Sequence, residues 1–84
     1  MYLLISLHGE MALSNVPDSD KLVVCLDHLT SGFISCNDDC STTIWNSGAE
    51  VLEAYREGKV LSFYDVEDQE VFFGGRWIPL CVPH

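Results

Sequence analysis

Three short pairs of zinc-ligand types recur along the chain: Cys25 with His28, Cys36 with Cys40, and Cys81 with His84. Zinc takes four sulfur or nitrogen ligands at tetrahedral corners, and a short gap lets both members of a pair converge on one ion. The set this spacing offers is Cys36, Cys40, Cys81 and His84, with Cys25 and His28 as substitutes. Against it, Cys25 and His28 face opposite sides if they share a strand. The double cysteine knuckle that marks many structural zinc sites is also missing. Free cysteine is an ordinary small apolar side chain, so the expectation is four unligated thiols and no cofactor, with a zinc-stabilised domain as the alternative. A Cys36–Cys40 disulfide would need an oxidising compartment.

The same pass gives little for catalysis. A thiol nucleophile needs a base and a group to hold that base, assembled in space. Cys25, Asp27 and His28 supply the types but are neighbours in sequence. Gly74-Gly75 lacks the helix and lysine that would follow a phosphate-binding loop. The chain is therefore expected not to be an enzyme.

Charge is the stronger signal. Thirteen acids against four Lys and Arg give a net charge of −9, which argues against direct contact with a nucleic-acid backbone. Seven of the acids fall between positions 50 and 70: Glu50, Glu53, Glu57, Asp65, Glu67, Asp68 and Glu70, offset there only by Arg56 and Lys59. If they meet on one surface, they would speed association with a basic partner and make it salt-sensitive. Such a surface could also mimic nucleic-acid phosphates. Aromatic residues offer a second surface. Phe63, Tyr64, Phe72, Phe73 and Trp77 would line both faces of a short sheet, and Tyr64, Arg76 and Trp77 are types enriched at interface hot spots.

These groups must be positioned by few elements. Residues 2–7 read as a strand, with Met11-Ala12-Leu13 continuing or returning it after the His8-Gly9 break. Residues 14–20 form a loop. Residues 21–27 read as a strand that pairs back with 33–36 across a turn at 28–32; a helix over 21–27 is the other possibility. Asn37-Asp38-Asp39 is turn chemistry. Ser47-Gly48-Ala49-Glu50 has the form of a capping box opening a helix over 47–57, which Gly58 stops. Residues 60–64, 70–73 and 76–80 form a three-strand meander. Its last turn is Gly74-Gly75, and Pro79 assigns its last strand to an edge.

At 84 residues, 48% of them hydrophobic, the chain is one small domain and neither a disordered acidic tail nor a pair of domains. The expected fold is α+β: a small antiparallel β-sheet of about five strands, one helix packed on a face, and the C-terminal meander. No apolar run approaches a membrane span of about 20 residues, and no Lys or Arg precedes Lys21 to open a secretory signal. A cytoplasmic location follows as the expectation. The expected function is a small acidic protein-binding module, monomeric or homodimeric. It would act as an inhibitor or adaptor on a basic surface of a larger protein, including one handling nucleic acid, as defence-system inhibitors and immunity proteins do.

Overall fold

Strand alternation decides this fold, because one strand is buried on both of its faces. The computed structural model describes residues 1–81. Its elements run β1 (Tyr2–Ile5), β2 (Met11–Ser14), β3 (Leu22–Cys25), β4 (Phe33–Asn37), β5 (Thr42–Trp45), α1 (Gly48–Arg56), β6 (Val60–Asp65), β7 (Glu70–Phe73) and β8 (Arg76–Pro79). They form a three-stranded antiparallel sheet, β2-β1-β3, and a five-stranded antiparallel sheet, β5-β4-β6-β7-β8. The α+β class, the single helix and the β6-β7-β8 meander are as expected.

β4 must be central, since Ile34, Ser35 and Cys36 are all buried. It is paired on one side to β5 and on the other to β6. This corrects the expected hairpin between residues 21–27 and 33–36. β3 is half-exposed along its length and closes the small sheet against β1 instead, with Ile5 opposite Leu22. The remaining difference is β5. Its Thr-Thr-Ile-Trp run has strand composition but lies between a turn and a helix cap.

Alternation sorts the large sheet into two cores. Ile34, Cys36, Tyr64 and Val71 join Leu3, Ile5, Met11 and Leu13 of the small sheet. Phe63, with Phe33, Trp45 and Phe72 beside it, joins Val51 and Ala54 of the helix. The molecule is thus a three-layer stack of small sheet, large sheet and helix. The small sheet covers the aromatic face that had no assigned partner, so Tyr64 is 1% exposed and its ring belongs to the core.

Ser47 is the helix N-cap, but its side chain makes no capping hydrogen bond, so the capping box is present in sequence only. The C-terminus closes with a Schellman pair. Gly58 N–H donates to Tyr55 O at 3.1 Å and Lys59 N–H donates to Ala54 O at 3.0 Å. Gly58 takes φ +79°, as this motif requires. Gly74 and Gly75 both adopt positive φ in the expected two-residue turn.

Candidate protein-docking surface

The helix presents two flanks of opposite character. Gly48, Leu52 and Arg56, at four-residue spacing, face the outer strands of the large sheet. Glu50, Glu53 and Glu57 lie on the other flank and border one shallow depression with Trp45, Ala54 and Lys59. Trp45, Ala54 and Lys59 also border the adjoining hollow, whose rim carries Asp38 and Asp39. Five carboxylates therefore border the two hollows that share the half-buried Trp45, with a single lysine among them. That lysine is engaged, its Nζ lying 2.9 Å from Glu57 Oε2.

Local structure holds this arrangement in place. Asp38 N–H donates to Lys59 O at 3.0 Å, tying the β4–β5 turn to the end of the helix. Trp45 Nε1 donates to Ser35 Oγ at 2.9 Å, and Ser35 Oγ in turn donates to Asn37 Oδ1 at 2.7 Å. The Asn37 amide then donates to Thr43 Oγ1 and Ser41 Oγ at 2.8 and 3.0 Å. Ser41 gives both its hydroxyl and its backbone N–H to Asp39 Oδ1. The Ser41 hydroxyl, followed by that N–H, holds the Asp39 carboxyl below its ordinary value.

The other residues singled out in the sequence lie elsewhere. Asp65 pairs in register with Phe33 and begins the β6–β7 turn, at the end of β6 away from Val60 and Asp38. Its Oδ1 accepts the N–H groups of Glu67 and Asp68 at 3.1 and 3.3 Å. The turn acids Asp65, Glu67, Asp68 and Glu70 thus sit at the end of β6 opposite the Asp38-Asp39 turn, and none of them borders the two hollows beside Trp45. The partner of the helix acids is instead the Asp38-Asp39 turn. Its signal in sequence was the strand composition of residues 42–45, which makes residues 37–41 a hairpin tip beside the helix end.

Trp77 is 45% exposed and lines an apolar groove of about 440 Å³ with Phe33, Leu52, Phe63 and Phe72. Its ring meets Phe63 and Phe72 edge-on at centroid distances of 5.4 and 5.3 Å. Arg56 and Asp65 stand at the rim of this groove. Arg76 borders a different hollow, with Glu10, Met11, Phe73 and Leu80.

No family model, curated protein or solved structure matches this chain. Geometry therefore carries the reading alone.

The cysteines do not converge. Cys36 points into the core between the sheets and is 1% exposed, and burial pushes its thiol above the usual value, with Cys40 and Asp39 adding to the effect. Cys36 and Cys40 border one small hollow, but among the described residues no three Cys, His, Asp or Glu side chains are grouped to hold an ion. Cys81 is exposed and does not join them; His84 lies outside the described residues. Cys25 Sγ donates to Asp27 Oδ2 at 3.4 Å, and His28 is exposed in the following turn. Among the described residues, no helix is long and apolar enough to cross a membrane.

Proposed function

We propose that the protein is a non-enzymatic binding module that docks on a basic surface of a partner protein through the flank formed by Glu50, Glu53, Glu57, Asp38 and Asp39. The observation that carries this reading is that five carboxylates border the two hollows that share Trp45, and the one lysine lining them is already paired. Uncompensated charge of one sign steers an opposite charge toward it, and a rigid half-buried indole at the centre supplies an apolar anchor. The role consistent with this chemistry is that of an inhibitor or adaptor, including one that occupies the phosphate-binding surface of a nucleic-acid-handling protein.

The test compares the wild-type protein with two variants in affinity capture from a cell extract at low and at about 0.5 M salt. One variant carries Glu50→Gln, Glu53→Gln and Glu57→Gln; the other carries Glu67→Gln, Asp68→Asn and Glu70→Gln. The expected result is a discrete basic protein held by the wild type at low salt, released by high salt, lost with the helix variant and kept with the turn variant. Equal capture by the wild type and the helix variant overturns the proposal.

A further inference from the structure

The five-stranded sheet has two edges, and they are not equivalent. At β8, Leu80 N–H donates to Gln69 O at 3.0 Å. In an antiparallel ladder, bonded and non-bonded pairs alternate. With Val71 opposite Ile78 and Phe73 opposite Arg76, the bonded pairs use the backbone of Leu80, Ile78 and Arg76 inward. Trp77 and Pro79 therefore turn their backbone groups outward, and Pro79 has no N–H to offer. That edge is blunted in the way natural sheets block strand addition.

β5 is open. Asn37 N–H donates to Ser41 O at 2.8 Å, and Thr43 and Trp45 then follow as bonded partners of Ser35 and Phe33. The N–H and C=O groups of Thr42 and Ile44 face away from the sheet. No proline or lysine lies in this strand, and Ile44 is 57% exposed because the small sheet stops short of it. The side chains of Thr43 and Trp45 point to the helix layer, where Glu50 and Glu53 border the same depression as Trp45.

We infer that β5 is a docking edge that accepts an extended basic segment of the partner protein as a sixth strand, with basic side chains alternating with apolar ones. This deepens the docking reading above and rests on it. The basic side chains of the added strand lie on the helix side, opposite Thr43 and Trp45, and meet Glu50 and Glu53. The apolar ones lie on the other side beside Ile44. Cross-strand partners on one face sit about 4.5–5.5 Å apart between Cβ atoms, within reach of long basic side chains. Backbone hydrogen bonds to an open edge supply affinity, and the alternating side chains supply selectivity. A second copy of this chain is the wrong occupant on charge, since it would bring another −9 against the same acids.

The probe is a blocked heptapeptide alternating arginine and valine, added at low salt while backbone amide exchange is followed by NMR. At a concentration about ten times its dissociation constant, the Thr42 and Ile44 amides should exchange about tenfold more slowly. A peptide of the same charge, N-methylated at the amides that face β5, should give no such protection. If the peptide shifts Glu50 and Glu53 resonances but leaves Thr42 and Ile44 unprotected, strand addition is overturned and the docking surface stands. If it does not bind at all, both fall. Protection that grows with protein concentration in the absence of peptide assigns the edge to a second copy and also overturns the inference.

Discussion

The indole N–H of Trp45 donates to the hydroxyl of Ser35 at 2.9 Å, two strand positions along from the residue directly opposite. This bond fixes the aromatic centre of the acidic flank to a central strand of the large sheet. Ser35 has no exposed surface and relays the bond to Asn37. Ser35→Ala would strand the indole N–H and one acceptor of Asn37 together. The expected loss is about 1–3 kcal/mol in chemical denaturation, the cost of polar groups left without partners. The Trp45 fluorescence of the folded variant should shift as its ring loses its anchor. A variant with wild-type stability and spectrum would show that the network does not position Trp45.

Glu53 and Glu57 are one helical turn apart, and both are exposed. Like charges at this spacing destabilise a helix by a few tenths of a kcal/mol, about as much as an opposite pair stabilises it. Lys59 relieves chiefly Glu57, through the 2.9 Å ion pair, and attracts Glu53 more weakly. Glu53→Gln should therefore raise the melting temperature by about 1–3 °C at low salt, and the gain should shrink as salt is added. The same substitution should weaken partner binding. Stability and binding moving in opposite directions identify a charge kept for recognition, whereas a melting point that falls in Glu53→Gln would indicate a structural carboxylate.

The Asp39 carboxylate is depressed by the Ser41 hydroxyl and then by the Ser41 N–H. A depressed folded value means that the contribution of this group to stability is complete above its unfolded value of about 3.9 and is lost as pH falls through the lower folded value. Acidification should therefore loosen the β4–β5 turn only below about pH 4. The Asp39 carboxyl carbon should titrate below an ordinary aspartate, and Ser41→Ala should return it toward the ordinary value. A titration unchanged by Ser41→Ala would exclude the hydroxyl as the cause.

Cys25, Cys40 and Cys81 are exposed, whereas Cys36 is buried between the sheets. A thiol-specific reagent at neutral pH should modify three cysteines promptly and the fourth only as fast as the core opens. Zinc should leave the slow phase unchanged, because Cys36 would have to leave the core to become a ligand. Prompt reaction of all four would contradict the burial of Cys36, and zinc protection of Cys36 and Cys40 together would support the metal reading.

Local rules carried the helix, its glycine stop, the Gly74-Gly75 turn and the edge position of Pro79, since each depends on neighbours within a few residues. Which strands pair was not local. Residues 21–27 and 33–36 are close in sequence and fit a hairpin pattern, yet Ile34, Ser35 and Cys36 require cover on both faces, and only a central strand provides it. The same limit governed the candidate site. Glu50, Glu53 and Glu57 share a flank by helical spacing alone, but their alliance with Asp38 and Asp39 depends on β5 and on the contact between Asp38 and Lys59. Tyr64 shows the opposite error. Its type suits an interface, but a second sheet buries it, and nothing near it in sequence announces that sheet.

That second sheet is held to the first in part by Gly9, at the β1–β2 turn, whose carbonyl accepts a hydrogen bond from the buried Ser62 hydroxyl. Gly9 has φ +84°, and a Cβ added there would lie 3.1 Å from Leu61 Cβ and 3.2 Å from Ser62 Oγ. Gly9→Ala thus meets two penalties: a left-handed backbone costing about 1–2 kcal/mol, and a contact that pushes the turn away from β6. The expected result is a loss exceeding that backbone figure, together with weaker amide protection throughout β1 and β2. Gly58→Ala provides the comparison, since φ is +79° there with nothing within 4 Å; it should cost the backbone amount alone. Equal losses at the two sites would show that the Gly9 turn does not depend on its close approach to β6.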